Sequence, residues 1–160
     1  MGDRANIVLR QHGPAGTGSY LYLYTHWEGY GLPVKLHDAL AVAHIHGRLA
    51  DEPYLARIVH DRLASSEGTA WSGFGITTYL TDNQRPLLIV DAVRQEVGLV
   101  QAPSRQELTA HHHRYAGEWV ILGRPISFAA YMALRFDEDA DTWEPVFTAA
   151  GVSRAEAYQP

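Results

Sequence analysis

The stretch from Tyr20 to Pro33, Tyr-Leu-Tyr-Leu-Tyr-Thr-His-Trp-Glu-Gly-Tyr-Gly-Leu-Pro, constrains this chain more than any other. Its first half alternates with period two, as a strand does. Tyr20, Tyr22, Tyr24 and His26 fall on one face, and Leu21, Leu23, Thr25 and Trp27 on the other. One face is therefore apolar, with Trp27 expected to be buried in it. The other is aromatic but carries hydroxyls and an imidazole. Pro33 suits the first position of a helix, where its missing N–H costs nothing. Leu32, Leu36, Leu40, Ala43 and Gly47 then form one stripe, and the helix is expected to end near Gly47. A strand that runs through a short glycine loop into a helix sets the first half of the fold.

The flanking segments extend the pattern. Asn6–Gln11 alternates around Ile7 and Leu9 and reads as a strand. His12-Gly13-Pro14-Ala15-Gly16-Thr17-Gly18 then leads into another strand, so it reads as a hairpin loop. A phosphate-binding loop would lead into a helix. Asp51-Glu52-Pro53 has the acidic cap and first-turn proline of a second helix, whose stripe is Leu55, Ile58, Val59 and Leu63. Trp71 to Leu80 reads as a strand, Thr81–Pro86 as a hairpin loop, and Leu87–Val93 as a central strand buried on both faces. With Val97–Gln101 these are expected to form an antiparallel meander. Ser104-Arg105-Gln106-Glu107 is a capping-box pattern, predicting a short helix that runs toward His111-His112-His113. Trp119–Leu122 reads as a last strand and Ser127–Phe136 as a last helix.

At 160 residues the chain suits one domain with a substantial core. The expected architecture is α+β: a single two-layer domain over residues 1–136. A mainly antiparallel sheet of five or six strands carries two helices on one face, with a short C-terminal helix. Leu21, Leu23, Leu36, Leu40, Leu55, Ile58, Val59, Ile76 and Val90 should share the core. Residues 137–160 read as a loose acidic tail, partly docked through Trp143, Val146 and Phe147.

The net charge of −5 argues against nucleic-acid or anionic-membrane binding, though not against a small local anion site. With no cysteine, disulfides, thiolate catalysis and cysteine-ligated metals are excluded. No apolar run approaches membrane-spanning length and no signal peptide is evident, so a cytoplasmic protein is expected.

Met1-Gly2-Asp3-Arg4-Ala5-Asn6-Ile7, then Leu23-Tyr24-Thr25-His26-Trp27-Glu28-Gly29 with Leu32-Pro33, then Asp51-Glu52-Pro53-Tyr54-Leu55-Ala56-Arg57-Ile58 and Gly73-Phe74-Gly75-Ile76 form a series. It resembles a family of small, uncharacterised bacterial and bacteriophage proteins, over roughly the first two thirds of the chain. The resemblance brings no activity, cofactor or catalytic residue with it.

Nine histidines raise the question of a metal. His44 and His46 lie about 200° apart around a helix, and His37 and His44 about 10.5 Å apart along it, so neither pair can share an ion. No His-Glu-x-x-His pattern occurs, and neither a metal nor another cofactor is expected. His26 is the candidate catalytic residue: it ends a strand beside a glycine loop and could act as general acid or base. Its structural alternative is a histidine bonded to a neighbouring backbone carbonyl and packed among Tyr22 and Tyr24. The first helix has no capping side chain at Gly31 or Leu32 and carries Lys35 in its first turn, an arrangement able to receive an anion. Its alternatives are water or the Glu28 carboxylate. Asp91 ends a strand, as many catalytic acids do, but fits a turn residue equally.

These readings lead to an accessory protein that binds a small ligand, an anion among the options, or a protein partner. The expected site is Tyr22, Tyr24, His26, Glu28 and Lys35, with homo-oligomerisation open. The alternative is a small metal-independent hydrolase or isomerase using His26. A weaker one is an assembly protein acting through its C-terminal tail.

Overall fold

The computed structural model describes residues 2–14, 18–65, 73–101, 121–137 and 139–158. Six strands, β1 (Ala5–Gln11), β2 (Ser19–Thr25), β3 (Phe74–Thr77), β4 (Leu87–Asp91), β5 (Glu96–Val100) and β6 (Leu122–Ser127), form one sheet. Their spatial order is β3-β2-β1-β4-β5-β6. Only β1 and β4 pair in parallel; every other neighbouring pair is antiparallel. With the helices below, this is an α+β fold of one domain.

The alternation of β2 sets both layers. Leu21 and Leu23 join Ile7, Leu9, Leu88, Val90, Val97 and Leu99 beneath the helices. Tyr22 joins Val8, Leu87, Ile89 and Val100 on the opposite face, under Leu80. α1 (Leu32–Ile45) and α2 (Glu52–Ala64) supply Leu36, Leu40, Leu55 and Val59 to the first layer. Each such fully buried aliphatic side chain contributes about 1.5–3 kcal/mol of transfer free energy. Asp51 caps α2 by accepting the N–H of Tyr54. Leu21 and Ile58 sit at the margin of the core, and Ile76, on the edge strand β3, is 48% exposed.

Three sequence expectations are corrected. First, β3, β4 and β5 are not a meander, because β3 lies at the far edge beside β2 and β4 pairs with β1. Residues 78–86 cross the sheet as a strap. Its polar residues, which resemble those of a turn, are anchors to the start of β1. Asp82 pairs with Arg4, Asn83 accepts from the buried Asn6 amide at 3.0 Å, and the Gln84 N–H donates to the Arg4 carbonyl at 2.8 Å. Second, Trp27 is not buried; it is 53% exposed. β2 ends at Thr25, so strand parity does not carry to Trp27. Third, the segment after Asp137 is not loose. α3 (Phe128–Met132) is followed by α4 (Glu144–Ala150) and α5 (Arg154–Ala157). Trp143, Val146 and Phe147 are fully buried in the main core. The segments around Ser104 and His111–His113, and the first half of the strand expected at Trp119–Leu122, lie outside the described residues.

The second layer has a consequence at alkaline pH. Burial, with a smaller push from neighbouring Tyr20, raises the Tyr22 phenol from 10.0 to about 12. Burial raises the fully enclosed Tyr131 further. The fold thus holds these protons more tightly than the unfolded chain does. The stabilisation is complete below the unfolded value near pH 10 and is lost as pH rises toward 12. Denaturant titrations across that span should show falling stability, with part of the tyrosine absorbance change arriving late. A flat profile would contradict the enclosure of Tyr22 and Tyr131.

Candidate functional site

The five residues singled out in the sequence do not gather into one pocket. Tyr22 is a core residue of the second layer. The Tyr24 hydroxyl lies 2.8 Å from Nδ1 of His26, whose ring packs edge-on against Trp27 at 4.9 Å. The other face of His26 is closed: a Cβ on Gly2 would stand 2.7 Å from its Nε2. The His26 N–H donates to the Gly73 carbonyl at 2.8 Å, so the residue continues the β2–β3 ladder. Glu28 forms an ion pair with Lys35. The start of α1 does lack a side-chain cap, as its sequence implies. Its cation, however, is met by the loop's own carboxylate, and the Lys35 N–H is satisfied by the Gly31 carbonyl at 3.1 Å.

The loop's more consequential contacts run to residues distant in sequence. The Gly29 N–H donates to the Asp3 carbonyl at 2.9 Å, and the Tyr30 N–H to the Asp3 carboxylate at 2.6 Å. That carboxylate also takes two hydrogen bonds from Arg85, at 2.8 and 3.1 Å. A third Arg85 donor reaches the Tyr158 hydroxyl at 3.3 Å. Asp3 thereby joins the N-terminal segment, the loop after β2, the strap and the C-terminal segment. A side chain on Gly29 would enter Asp3, with its Cβ at 2.8 Å from both the carbonyl and a carboxylate oxygen.

Around this junction lies an open cleft of about 660 Å³ lined by Asp3, Gln84, Arg85, Arg154, Ala155 and Tyr158. Burial pulls the Arg85 guanidinium down, but its bonds to Asp3 and Tyr158 outweigh this and raise it, so it stays charged. Arg154 is raised by its bonds to Asp141 and Glu144. Asp141 is disfavoured as an anion by burial, yet the Trp143 N–H and Arg154 hold it below the usual carboxylate range. Burial raises the Tyr158 phenol against the lowering effect of Arg85.

Donors remain after these internal bonds are counted. A guanidinium has five N–H groups. Arg85 commits one from each nitrogen, and Arg154 uses Nη1 for both its carboxylates. Among the described residues, the second Nη hydrogens of Arg85 and the Nε and Nη2 groups of Arg154 make no hydrogen bond, and both side chains line the cleft. Ala155 and the Tyr158 ring, with Arg154 lying 5.6 Å from its centroid, provide an apolar floor.

Sequence reasoning missed this cleft because Asp3, Arg85 and Tyr158 are far apart in the chain. The one local signal was the capping box Ser153-x-x-Glu156, which sets α5 and presents Arg154. Among the described residues, no group of three or more His, Asp or Glu is placed to hold a metal ion, and no helix is long and apolar enough to cross a membrane. Comparison with protein-family models, with curated proteins and with solved structures finds no match to the chain.

Proposed function

We propose that this protein binds a small ligand carrying one carboxylate on an apolar body, in the Arg85–Arg154–Tyr158 cleft. The observation that carries this reading is the set of guanidinium N–H donors left over above an apolar floor. Such a combination fits a carboxylate, whose two oxygens accept paired N–H bonds, with its carbon skeleton against Ala155 and Tyr158. The local charge favours a single negative group over a multiply charged one: Asp3, Asp141 and Glu144 already surround the two arginines. A phosphate dianion would meet more repulsion than a carboxylate.

The Tyr24–His26 hydrogen bond supports the second reading, a metal-independent hydrolase or isomerase with His26 as acid or base. Gly2 stands over the nitrogen that would have to meet a substrate, and this weighs against it. The assembly reading needs the C-terminal aromatics to be free, whereas Trp143, Val146 and Phe147 spend their apolar surface inside this chain.

A thermal-shift series with aliphatic and aromatic monocarboxylates, matched phosphates and neutral amides tests the proposal. Carboxylates should stabilise the wild type, and amides should not. Arg154→Gln should remove the shift while changing the unliganded stability by less than about 1 kcal/mol, the scale of an exposed ion pair. A shift lost on His26→Ala or Lys35→Ala, and kept on Arg154→Gln, would return the site to the loop after β2. No stabilisation by any carboxylate would end the proposal.

A further inference from the structure

The parallel pair β1–β4 has a second end, remote from the cleft. Asp3 and Arg85 stand before these strands, whereas His12 and Asp91 stand at their carboxyl ends. The seven residues of β1 place roughly 20 Å between the two ends. At the far end the chain leaves β1 toward β2 and leaves β4 toward β5, on opposite sides.

The register places Arg10 beside Asp91, and His12 follows on the same face. The Asp91 carboxylate is only 5% exposed. It accepts the Arg94 N–H at 2.9 Å, and both of its oxygens lie 3.0 Å from Nε2 of His12. The His12 backbone is held in turn, because its N–H donates to Glu52 at the start of α2 at 2.7 Å. Arg10 and Arg94 approach Asp91 at 3.6 and 3.9 Å, and Arg94 approaches Glu96 at 3.8 Å. These are ion pairs longer than a hydrogen bond, so among the described residues neither guanidinium hydrogen-bonds a carboxylate.

The tautomer of a neutral His12 follows from its partner. An ionised carboxylate only accepts, so Asp91 fixes the proton of a neutral His12 on Nε2. The lone pair must then lie on Nδ1. Nδ1 has no hydrogen-bond partner among the described residues, and the side chain is 28% exposed. A buried carboxylate that orients an imidazole with its basic nitrogen turned outward is the arrangement of a general base and its positioning residue. The Asp91–His12 contact differs from Tyr24–His26 in this respect, since there the second nitrogen is covered.

We propose that His12 is the general base, and Asp91 its positioning residue, of an esterase site for small anionic carboxylic esters. Nδ1 of His12 takes a proton from water as the water oxygen bonds to the ester carbonyl carbon. The resulting oxyanion meets the Arg94 guanidinium, and Arg10 receives the anionic group of the substrate. The bond from carbon to the leaving oxygen then breaks, and the imidazolium returns its proton to that oxygen. One ester and one water give one acid and one alcohol.

The test uses the mono-4-nitrophenyl ester of adipic acid, whose carboxylate does not readily reach its own ester carbonyl, against 4-nitrophenyl acetate, each rate taken above that without protein, with nitrogen-15 NMR of the histidines. The anionic ester should be cleaved faster than acetate. His12→Gln should lower that rate about a hundredfold, whereas His46→Gln, at an exposed position after α1, should leave it unchanged. Asp91→Asn should lower the rate and shift His12 away from its Nε2–H tautomer. The NMR of the wild type answers even if a variant fails to fold: a neutral His12 carrying its proton on Nδ1 overturns the proposal. A rate that survives His12→Gln in folded protein overturns it as well. Neither result bears on carboxylate binding at the cleft.

Discussion

Replacing Trp143 by alanine is expected to cost about 3–5 kcal/mol of folding stability, the range for emptying a buried aromatic site. Trp143 is fully buried, and its Nε1–H donates to the Gly29 carbonyl at 3.0 Å. Truncation removes the ring and leaves that carbonyl without its donor. It also loosens the neighbouring ties of Tyr30 to Ala140 and of Thr142 to Tyr30. Trp27→Ala makes the control. That ring is half exposed and packs on His26 and Gly73, so its loss should cost less than about 1 kcal/mol. Urea titrations of the two variants should separate clearly. Equal, small losses would mean that the segment after Asp137 does not complete the core.

The contrast between these two tryptophans marks how far sequence reasoning reaches. Alternation from Tyr20 to Thr25 reports side-chain direction correctly because one backbone geometry persists through β2. It fails two residues later, where that geometry stops. The apolar run Leu87–Val90 likewise identifies a central strand but not its neighbour. Pairing with β1 depends on Asn6 meeting Asn83 and Arg4 meeting Asp82, and those residues are equally at home in a solvated turn. α4 and α5 carried the same kinds of local signal as α2: a proline in the first turn at Pro145 and a capping box at Ser153. They were passed over because the acidic composition around them suggested a tail.

The candidate sites divide in the same way. The Glu28–Lys35 pair spans one short loop, and the sequence offered it as an alternative to an anion. Asp3–Arg85 and His12–Asp91 join residues about half a chain apart. Asp91 could be noticed as a strand-end acid, and the Arg94 N–H shows that it is a turn residue too. Nothing in the sequence says that the parallel register aligns it with Arg10 and His12.

Gly123→Ala should be severely damaging for so small a substitution. Gly123 has φ +65, and a Cβ there would run into the Ala150 carbonyl oxygen and stand 2.5 Å from Val152. The left-handed backbone alone costs a side-chain-bearing residue about 1–2 kcal/mol. The contact costs more, because the obstacle is the backbone at the end of α4 and not the tip of a flexible side chain. Either β6 or α4 must move, and α4 is held by Val146 and Phe147 in the core. Gly47 isolates the conformational part. Its φ is +64, and nothing lies within 4 Å of the position its Cβ would take. Gly47→Ala should therefore lose only about 1–2 kcal/mol, while Gly123→Ala should lose clearly more and expose the Trp143 region, read by tryptophan fluorescence. If the two variants unfold at the same denaturant concentration, the close approach of β6 to the end of α4 is wrong.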